Sequence, residues 1–348
     1  MTPAEKTRLV KTLAVGLGFD QVGIARTVPS PWKTYYRQWL ARGHAGSMRY
    51  LHGNAELREN PARLLPGARS AICVALSYWR GASLASRPGS RPVGRVAQYV
   101  RGADYHRVLR AMLQELLARL RERLEEPFGQ RVFVDTGPVL ERELAAAAGL
   151  GWIGKNTMLV HERLGSYLFL GEIVTTLELE PDAPVTDHCG NCTRCLEACP
   201  PRALPKPYQL DASRCISYFT IEHRGEVPAE FHEPIGNWVY GCDVCQQVCP
   251  FNRHAPAGTH PELTADRIPE YLPLLDLLWL RSSEYRRLTN GTAARRARRN
   301  MWRRNATIAL GNAENIGEPE KRALADACDD EDPTVRHAAQ HAARRRRS

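Results

Sequence analysis

Nowhere in the 348 residues is there the unbroken apolar run of roughly 20 positions that a membrane-crossing helix requires. The opening stretch, MTPAEKTRLVKTLAVGLGFD, has neither the continuous apolar centre of a secretion signal nor a twin arginine. These absences predict a cytoplasmic protein. They also argue against reading the ten cysteines as the disulfide framework of a small secreted domain. Acidic residues are in deficit: 38 Asp and Glu stand against 48 Lys and Arg, a formal charge of +10. Such a balance favours an anionic partner, of which nucleic acid is the commonest. The hydrophobic content, 43% over this length, is enough for two or three domains.

Along the chain, Thr2 caps a first short helix, Pro3 lies in its first turn, and Glu5 completes a capping box. QVGIA (21–25), SAICVALSY (70–78), RVFVD (131–135) and SYLFLGEIVTTLELE (166–180) read as strands. DYHRVLRAMLQELLARLRERLEE (104–126) and ERELAAAAGLG (141–151) read as helices. Their alternation over residues 1–185 predicts a layered α/β domain with ligands at its loops. Residues 186–253 hold most of the cysteines, 254–284 form a Pro-rich connector, and 285–348 turn helical and charge-segregated. The span 284–310 carries eight arginines against one acid, and EDPTVRHAAQHA (331–342) has the pattern of a HEAT-type repeat. One or two such repeats need a neighbouring domain to pack on. A solvated helix face would also explain the arginines, and RRRRS reads as a disordered tail.

HCGNCTRCLEACP places Cys189, Cys192, Cys195 and Cys199-Pro200 in the C-x2-C-x2-C-x3-C-P spacing of two-cluster ferredoxins. Three thiolates wrap one cubane, and the fourth ligates the other cluster. A pair of zinc sites is the competing reading, but those normally use two separated C-x2-C pairs. A second run, YGCDVCQQVCP, supplies Cys242, Cys245 and Cys249 and is one ligand short. Cys215, 27 positions before Cys242, is the remaining nearby cysteine. The resulting crossed assignment is Cys189, Cys192, Cys195 and Cys249 for one [4Fe–4S] cluster, and Cys199, Cys215, Cys242 and Cys245 for the other. Clusters pass electrons singly, so an acceptor is expected among the roughly 280 residues outside this module.

Several segments together resemble epoxyqueuosine reductases: YLHGNAELRENPARLLPGARSAI (50–72), QYVRGADYH (98–106), VFVDTGPVLERELAAAAGLGWIGKNTMLV (132–160), GSYLFLGEIVTT (165–176) and GNWVYGCDVCQQVCPFN (236–252). The resemblance runs over about residues 5 to 345. It implies an α/β cobalamin-binding domain of reductive-dehalogenase-like architecture, a ferredoxin-like module with two [4Fe–4S] clusters, and C-terminal α-helical HEAT-like repeats. The implied enzyme is cytoplasmic and monomeric, is fed by an external electron donor, and reduces epoxyqueuosine to queuosine at the wobble position of a tRNA anticodon.

The resemblance makes Asp135 the proton donor to the departing oxygen. Asp135 ends an apolar strand, Val132-Phe133-Val134, and apolar walls would raise its pKa towards neutrality. Alone, it would read as a turn residue before Thr136-Gly137-Pro138. Corrinoid contacts implied by position are Arg58, Tyr99, Asp135, Gly154, Lys155, Asn156, Thr157, Ser217, Val239, Tyr240 and Gly241. No Asp-x-His-x-x-Gly run is present, so no protein histidine is expected below the cobalt, and His106, His161 and His223 are expected in packing or substrate contacts. Asp104 reads equally as a helix N-cap. Arg295, Arg296, Arg298, Arg299, Arg303 and Arg304 suit the RNA backbone, with Trp302 as a stacking partner. The same residues allow two other functions: a corrinoid reductase of a small halogenated or epoxide molecule, and a nucleic-acid-binding protein stapled by structural clusters.

Overall fold

The computed structural model describes residues 1–81 and 91–346. The expected N-terminal cap forms: Glu5 N–H donates to Thr2 Oγ1 at 3.3 Å, and Thr2 N–H donates to Glu5 Oε2 at 2.7 Å. This reciprocal pair satisfies amides that the start of helix Pro3–Gly16 leaves unbonded. The strands are β1 (Gln21–Arg26), β2 (Ser70–Ser77), β3 (Val93–Val96), β4 (Gln130–Phe133), β5 (Trp152–Ile153), β6 (Leu159–Val160), β7 (Leu168–Thr175), β8 (Trp238–Tyr240) and β9 (Tyr271–Pro273).

The main sheet has the order β1-β2-β7-β4, with every pairing antiparallel. Helices cover both faces, giving the layered α/β arrangement, while the antiparallel strand direction is something the sequence pattern leaves open. The rule that parallel sheets present ligands at their carboxyl edge has no hold here. β2 and β7 are buried along their whole length. Ile72, Val74 and Leu76 face Leu109, Leu113 and Leu117 of helix Tyr105–Arg123. Ala71, Cys73 and Ala75 face Leu144 and Ala145 of helix Glu141–Ala147. Period-two alternation with apolar residues on both faces is the pattern of a strand sandwiched between helices. A Cβ on Gly23 would stand 2.0 Å from the Ala148 carbonyl oxygen, so glycine lets the end of that helix rest on β1.

A second sheet, β8-β3-β9, joins the cysteine-bearing segment to the C-terminal helices. Val96, Val239 and Tyr240 share a core with Leu274, Leu278, Met301, Trp302, Leu310 and Val335. Residues 254–284 therefore do more than connect, since helix Leu274–Leu278 supplies part of this core. The C-terminal region comprises helices Arg299–Asn312, Glu318–Ala327 and Pro333–Arg345. The basic end expected as a tail is partly helix, with Arg344 and Arg345 in its last turn. Residues 347–348 lie outside the described residues. No helix among the described residues is long and apolar enough to cross a membrane.

Arg304 corrects another expectation, because it is fully buried and cannot meet a phosphate. Its guanidinium donates to the carbonyls of Phe219 (2.5 Å), His223 (2.7 Å) and Gly225 (2.6 Å). The insertion between Cys215 and Cys242 is thereby pinned to helix Arg299–Asn312. Removing the donor would leave three carbonyls unpaired, at roughly 1–3 kcal/mol for each group that stays buried. Arg304→Ala should lower unfolding free energy by at least about 3 kcal/mol in urea titrations. A change below about 1 kcal/mol would show that these bonds do not hold the insertion.

Candidate active site and cluster ligands

The cysteine thiols fall into two electrostatic groups. Burial pushes the Cys195 thiol up to about 11, and Cys189, Cys249 and Cys192 add to that push. Cys245 is raised by burial and then by Cys215 and Cys199. Cys242 is raised by burial and, against a hydrogen bond from Val244 N–H, by Cys215 and Cys245. Cys195 also acts on Cys245, so the two runs of thiols lie close to one another. Among the described residues no three His, Cys, Asp or Glu side chains converge to hold one ion. A cubane offers a separate iron to each thiolate and needs no such convergence.

The surroundings fit a cluster. The Trp152 indole N–H is buried without a full hydrogen-bond partner, yet it lies beside Cys189, whose thiol it acts on. A cluster sulfur there would give that N–H an acceptor. Ala203 N–H donates to Cys199 Sγ at 3.3 Å. Lys155 Nζ donates to the carbonyls of Gly190 (2.5 Å) and Cys192 (3.0 Å), and Asn156 Nδ2 to that of Cys245 (3.4 Å). The β5–β6 turn therefore clamps both cysteine loops.

Asp135 occupies the turn after β4 with φ +56°, a left-handed conformation that aspartate tolerates better than most residues. Its side chain is 56% exposed. His106 Nε2 stands 3.1 Å from Asp135 Oδ2, and His106 Nδ1 stands 2.7 Å from Asp104 Oδ1. Asp104 also caps helix Tyr105–Arg123 through His106 N–H, so one carboxylate fixes both the helix start and the imidazole. Burial pushes the Asp135 carboxyl up, but the hydrogen bond and charge of His106, with Tyr105 and Arg296, outweigh it. The net shift is below the ordinary value. This corrects the expectation of a carboxyl raised by apolar walls. Burial alone would lower His106, yet hydrogen bonds to Asp104 and Asp135 raise it to about 9. At neutral pH the proton of this pair belongs to the imidazole.

Aromatic side chains link Asp135 to the cysteines. Tyr105 acts on Asp135 and lies 6.4 Å, ring to ring, from Tyr99. The Tyr99 hydroxyl is 3.4 Å from that of Tyr240, two positions before Cys242. Arg142 senses both Asp135 and Cys245 and donates to the Thr157 carbonyl at 2.5 Å.

The expected corrinoid contacts separate into two sets. Tyr99 and Ser217 are half-buried and Asp135 is accessible. Gly241 lies against Ala97, where a Cβ would come within 2.6 Å of its methyl group. By contrast Val239 and Tyr240 are fully buried in the second core, and Lys155 and Asn156 are committed to the cysteine loops. Arg58 is buried and donates to the Gly53 carbonyl at 3.1 Å. Gly154 and Thr157 close the β5–β6 turn, Thr157 N–H donating to Gly154 O at 2.8 Å. An accessible carboxylate, a half-buried imidazole, Arg142, and the Ser217 and Tyr99 hydroxyls remain as a set of acceptors and donors that suits the carboxamide rim of a corrinoid.

The arginines divide similarly. Arg295, Arg296 and Arg298 are exposed, and Arg299 is half-buried with a bond to Leu280 O. Arg303 is paired with Asp330, and Trp302 is buried against the Tyr240 ring, so neither is free for RNA. Arg296 holds Glu222 at 2.7–2.8 Å and lies 5.3 Å over the ring of Tyr50, which is 49% exposed. Sequence reasoning missed Tyr50, Glu222, Glu141, Arg142 and Glu172; only Glu172, a lone acid inside an apolar run, left a local signal.

An oxidoreductase built around a two-cluster ferredoxin module is the class these features define. The model of the "4Fe-4S double cluster binding domain" matches residues 188–252, and that of "Epoxyqueuosine reductase QueG, DUF1730" matches residues 58–136. The epoxyqueuosine reductase of Xanthomonas campestris is 41% identical over 315 residues, 89% of this chain and 88% of its own. A crystal structure of epoxyqueuosine reductase with a tRNA-Tyr epoxyqueuosine-modified stem loop superposes with a TM-score of 0.87 at 33% identity, over 97% of this chain and 89% of that one. A Bacillus subtilis epoxyqueuosine reductase, described with its catalytic aspartate loop swung out of the active site, gives a TM-score of 0.86 at 33% identity over the same shares. The chain belongs to the epoxyqueuosine reductase family.

Replacing Cys215 by Ser should reduce bound iron from about eight to about four per chain. Eight irons retained would remove Cys215 from the ligand set. The His106 pKa is raised from 6.5 to about 9, so the stability it contributes is complete below pH 6.5 and is lost as pH rises through about 9. Asp104 and Asp135 are both lowered, so their share is present above the ordinary carboxylate value of 3.8 and is lost as pH falls further. The stability difference between the parent and His106→Gln should therefore shrink above pH 9; a difference constant from pH 6 to 10 would contradict a charged imidazole.

Proposed function

We propose that the chain reduces the epoxide of epoxyqueuosine, carried in a tRNA anticodon stem-loop, to the alkene of queuosine. The reaction consumes two electrons and two protons and releases water. The observation that carries this reading is the Asp104–His106–Asp135 chain, a proton source linked through Tyr99, Tyr240 and Arg142 to the cysteine loops.

On this reading residues 1–185 form the catalytic domain and residues 186–253 the cluster module. Cys189, Cys192, Cys195 and Cys249 hold one [4Fe–4S] cluster; Cys199, Cys215, Cys242 and Cys245 hold the other. Cobalamin would lie against Tyr99, Ser217, Gly241, Arg142 and Asp135, where it would supply a metal able to accept electrons singly and act on carbon. Asp135 Oδ2 faces the leaving oxygen and passes on the proton held at His106 Nε2, a task that a carboxylate alone cannot perform at neutral pH. Asp104 keeps the imidazole oriented and charged. Tyr105, packed 4.2 Å from Phe169 ring to ring, walls off the aspartate from the sheet side. Arg295 and Arg298 are the arginines we assign to phosphate contacts, at the start of a HEAT-like helical region (285–348), with Arg296, which would first have to release Glu222, and Tyr50 beside them for a base.

Anaerobic incubation of the cluster-loaded chain with cobalamin, a strong reductant and modified tRNA should convert epoxyqueuosine to queuosine, measured by nucleoside mass spectrometry. Unchanged epoxyqueuosine would overturn the proposal. Asp135→Asn should retain iron and cobalamin and lose turnover by about 100-fold or more; full activity would move the proton source elsewhere.

A further inference from the structure

We propose that Glu141 is a positioning residue for Asp135 and that Glu172, as a neutral acid, is the donor that holds Glu141 in place. The inference rests on the reading of Asp135 given above and deepens it.

Glu172 lies in the middle of β7, paired with Cys73 of β2 and Phe133 of β4. It points to the sheet face covered by helix Glu141–Ala147, among Phe133, Leu144, Leu170 and Val174. It is fully buried, and neither carboxyl oxygen meets an N–H or hydroxyl donor among the described residues. An ionised carboxylate in such a place is strongly disfavoured, and the group escapes by keeping its proton. The polar side chain facing it is Glu141, and the two carboxyls interact directly. With one proton between them, the Glu172 O–H can donate to Glu141.

Glu141 has a second donor. Asp135 N–H donates to Glu141 Oε1, the sole acceptor for that amide among the described residues. Glu141 thus bridges a buried acid and the main chain of the residue placed in proton transfer. The bridged turn is the one that needs support, because Asp135 is a non-glycine residue in the left-handed region. Burial and the nearby Asp135 raise Glu141 to about 7, which agrees with a proton shared within the pair. The other groups facing the pair are Arg142, which stabilises the Glu141 charge, and Cys73, itself raised by burial. The arrangement explains an acid at the centre of an apolar strand that packing alone does not require. Holding the turn keeps Asp135 Oδ2 at 3.1 Å from His106 Nε2.

The test measures hydrogen exchange of the Asp135 amide in the cluster-loaded chain without substrate, alongside kcat and KM for a modified stem-loop. In Glu141→Ala the amide should exchange at least about tenfold faster and kcat should fall about a hundredfold, with KM changed less than about threefold, because a displaced group loses rate and not affinity. Glu141→Gln, which keeps an acceptor without charge, should fall between. Glu172→Leu should behave like Glu141→Ala, whereas Glu172→Gln, which keeps an N–H for Glu141, should recover most of both readouts. Iron content monitors folding in each variant. Unchanged exchange in Glu141→Ala, or lost turnover with exchange unaltered, would overturn the positioning role. Equal damage in Glu172→Gln and Glu172→Leu would overturn the donor role. A parent chain without turnover would defeat the proposed function, and amide exchange would still decide this inference.

Discussion

The fold around the cysteines depends on bringing thiols from well-separated stretches of chain close together. Eight thiols lie between residues 189 and 249, and the proposed crossed assignment divides them into two sets of four, each borrowing from the other run's sequence neighbourhood. The chain leaves at Cys215, travels through 26 residues and returns at Cys242, whose thiol Cys215 then faces closely enough to raise it. That excursion is not slack. Ile216, Phe219, Val227, Phe231, Ile235 and Trp238 pack together with Ile308 and Ala338 of the C-terminal helices. The aromatic insertion packs as a wedge that joins the cysteine module to the basic helices.

The proton side obeys a different economy of charge. A general acid is commonly obtained by burying a carboxyl until it holds its proton near neutrality. Here the accessible aspartate sits beside an imidazolium, and the carboxyl that is buried and neutral is Glu172, one layer behind it. Environments have pushed the three acids apart: Asp135 down, Glu141 up, Glu172 further up. Separation of this kind marks groups with different tasks more clearly than any single value does.

How much of this could be read from the residues depended on how local the physics was. The cysteine spacing was legible because consecutive ligands of one cluster must lie on one short loop. The N-terminal cap was legible because its two hydrogen bonds join residues three apart. Strand direction was not: β2 and β7, buried on both faces, have the same continuous apolar signature whether their neighbours run parallel or antiparallel. The arginine run was visible, but its destinations were not. Arg295 and Arg298 face solvent while Arg304, in the same run, is drawn inward by three carbonyls 79 to 85 positions away. Asp135 stands out through the resemblance, whereas its contact with His106 spans 29 residues and leaves no local signal.

The pairing of β3 with β8 has a consequence for assembly. It unites residues 93–96 with 238–240, and the core it closes also needs Trp302, Val335 and Ala342 near the C-terminus. Loop closure over such separations is entropically late, and contacts of this range form slowly. During synthesis the cysteine loops therefore emerge well before the helices that complete this core. The order of events leaves an interval in which thiols are presented and the second core is still open, which is when bulky clusters meet least obstruction.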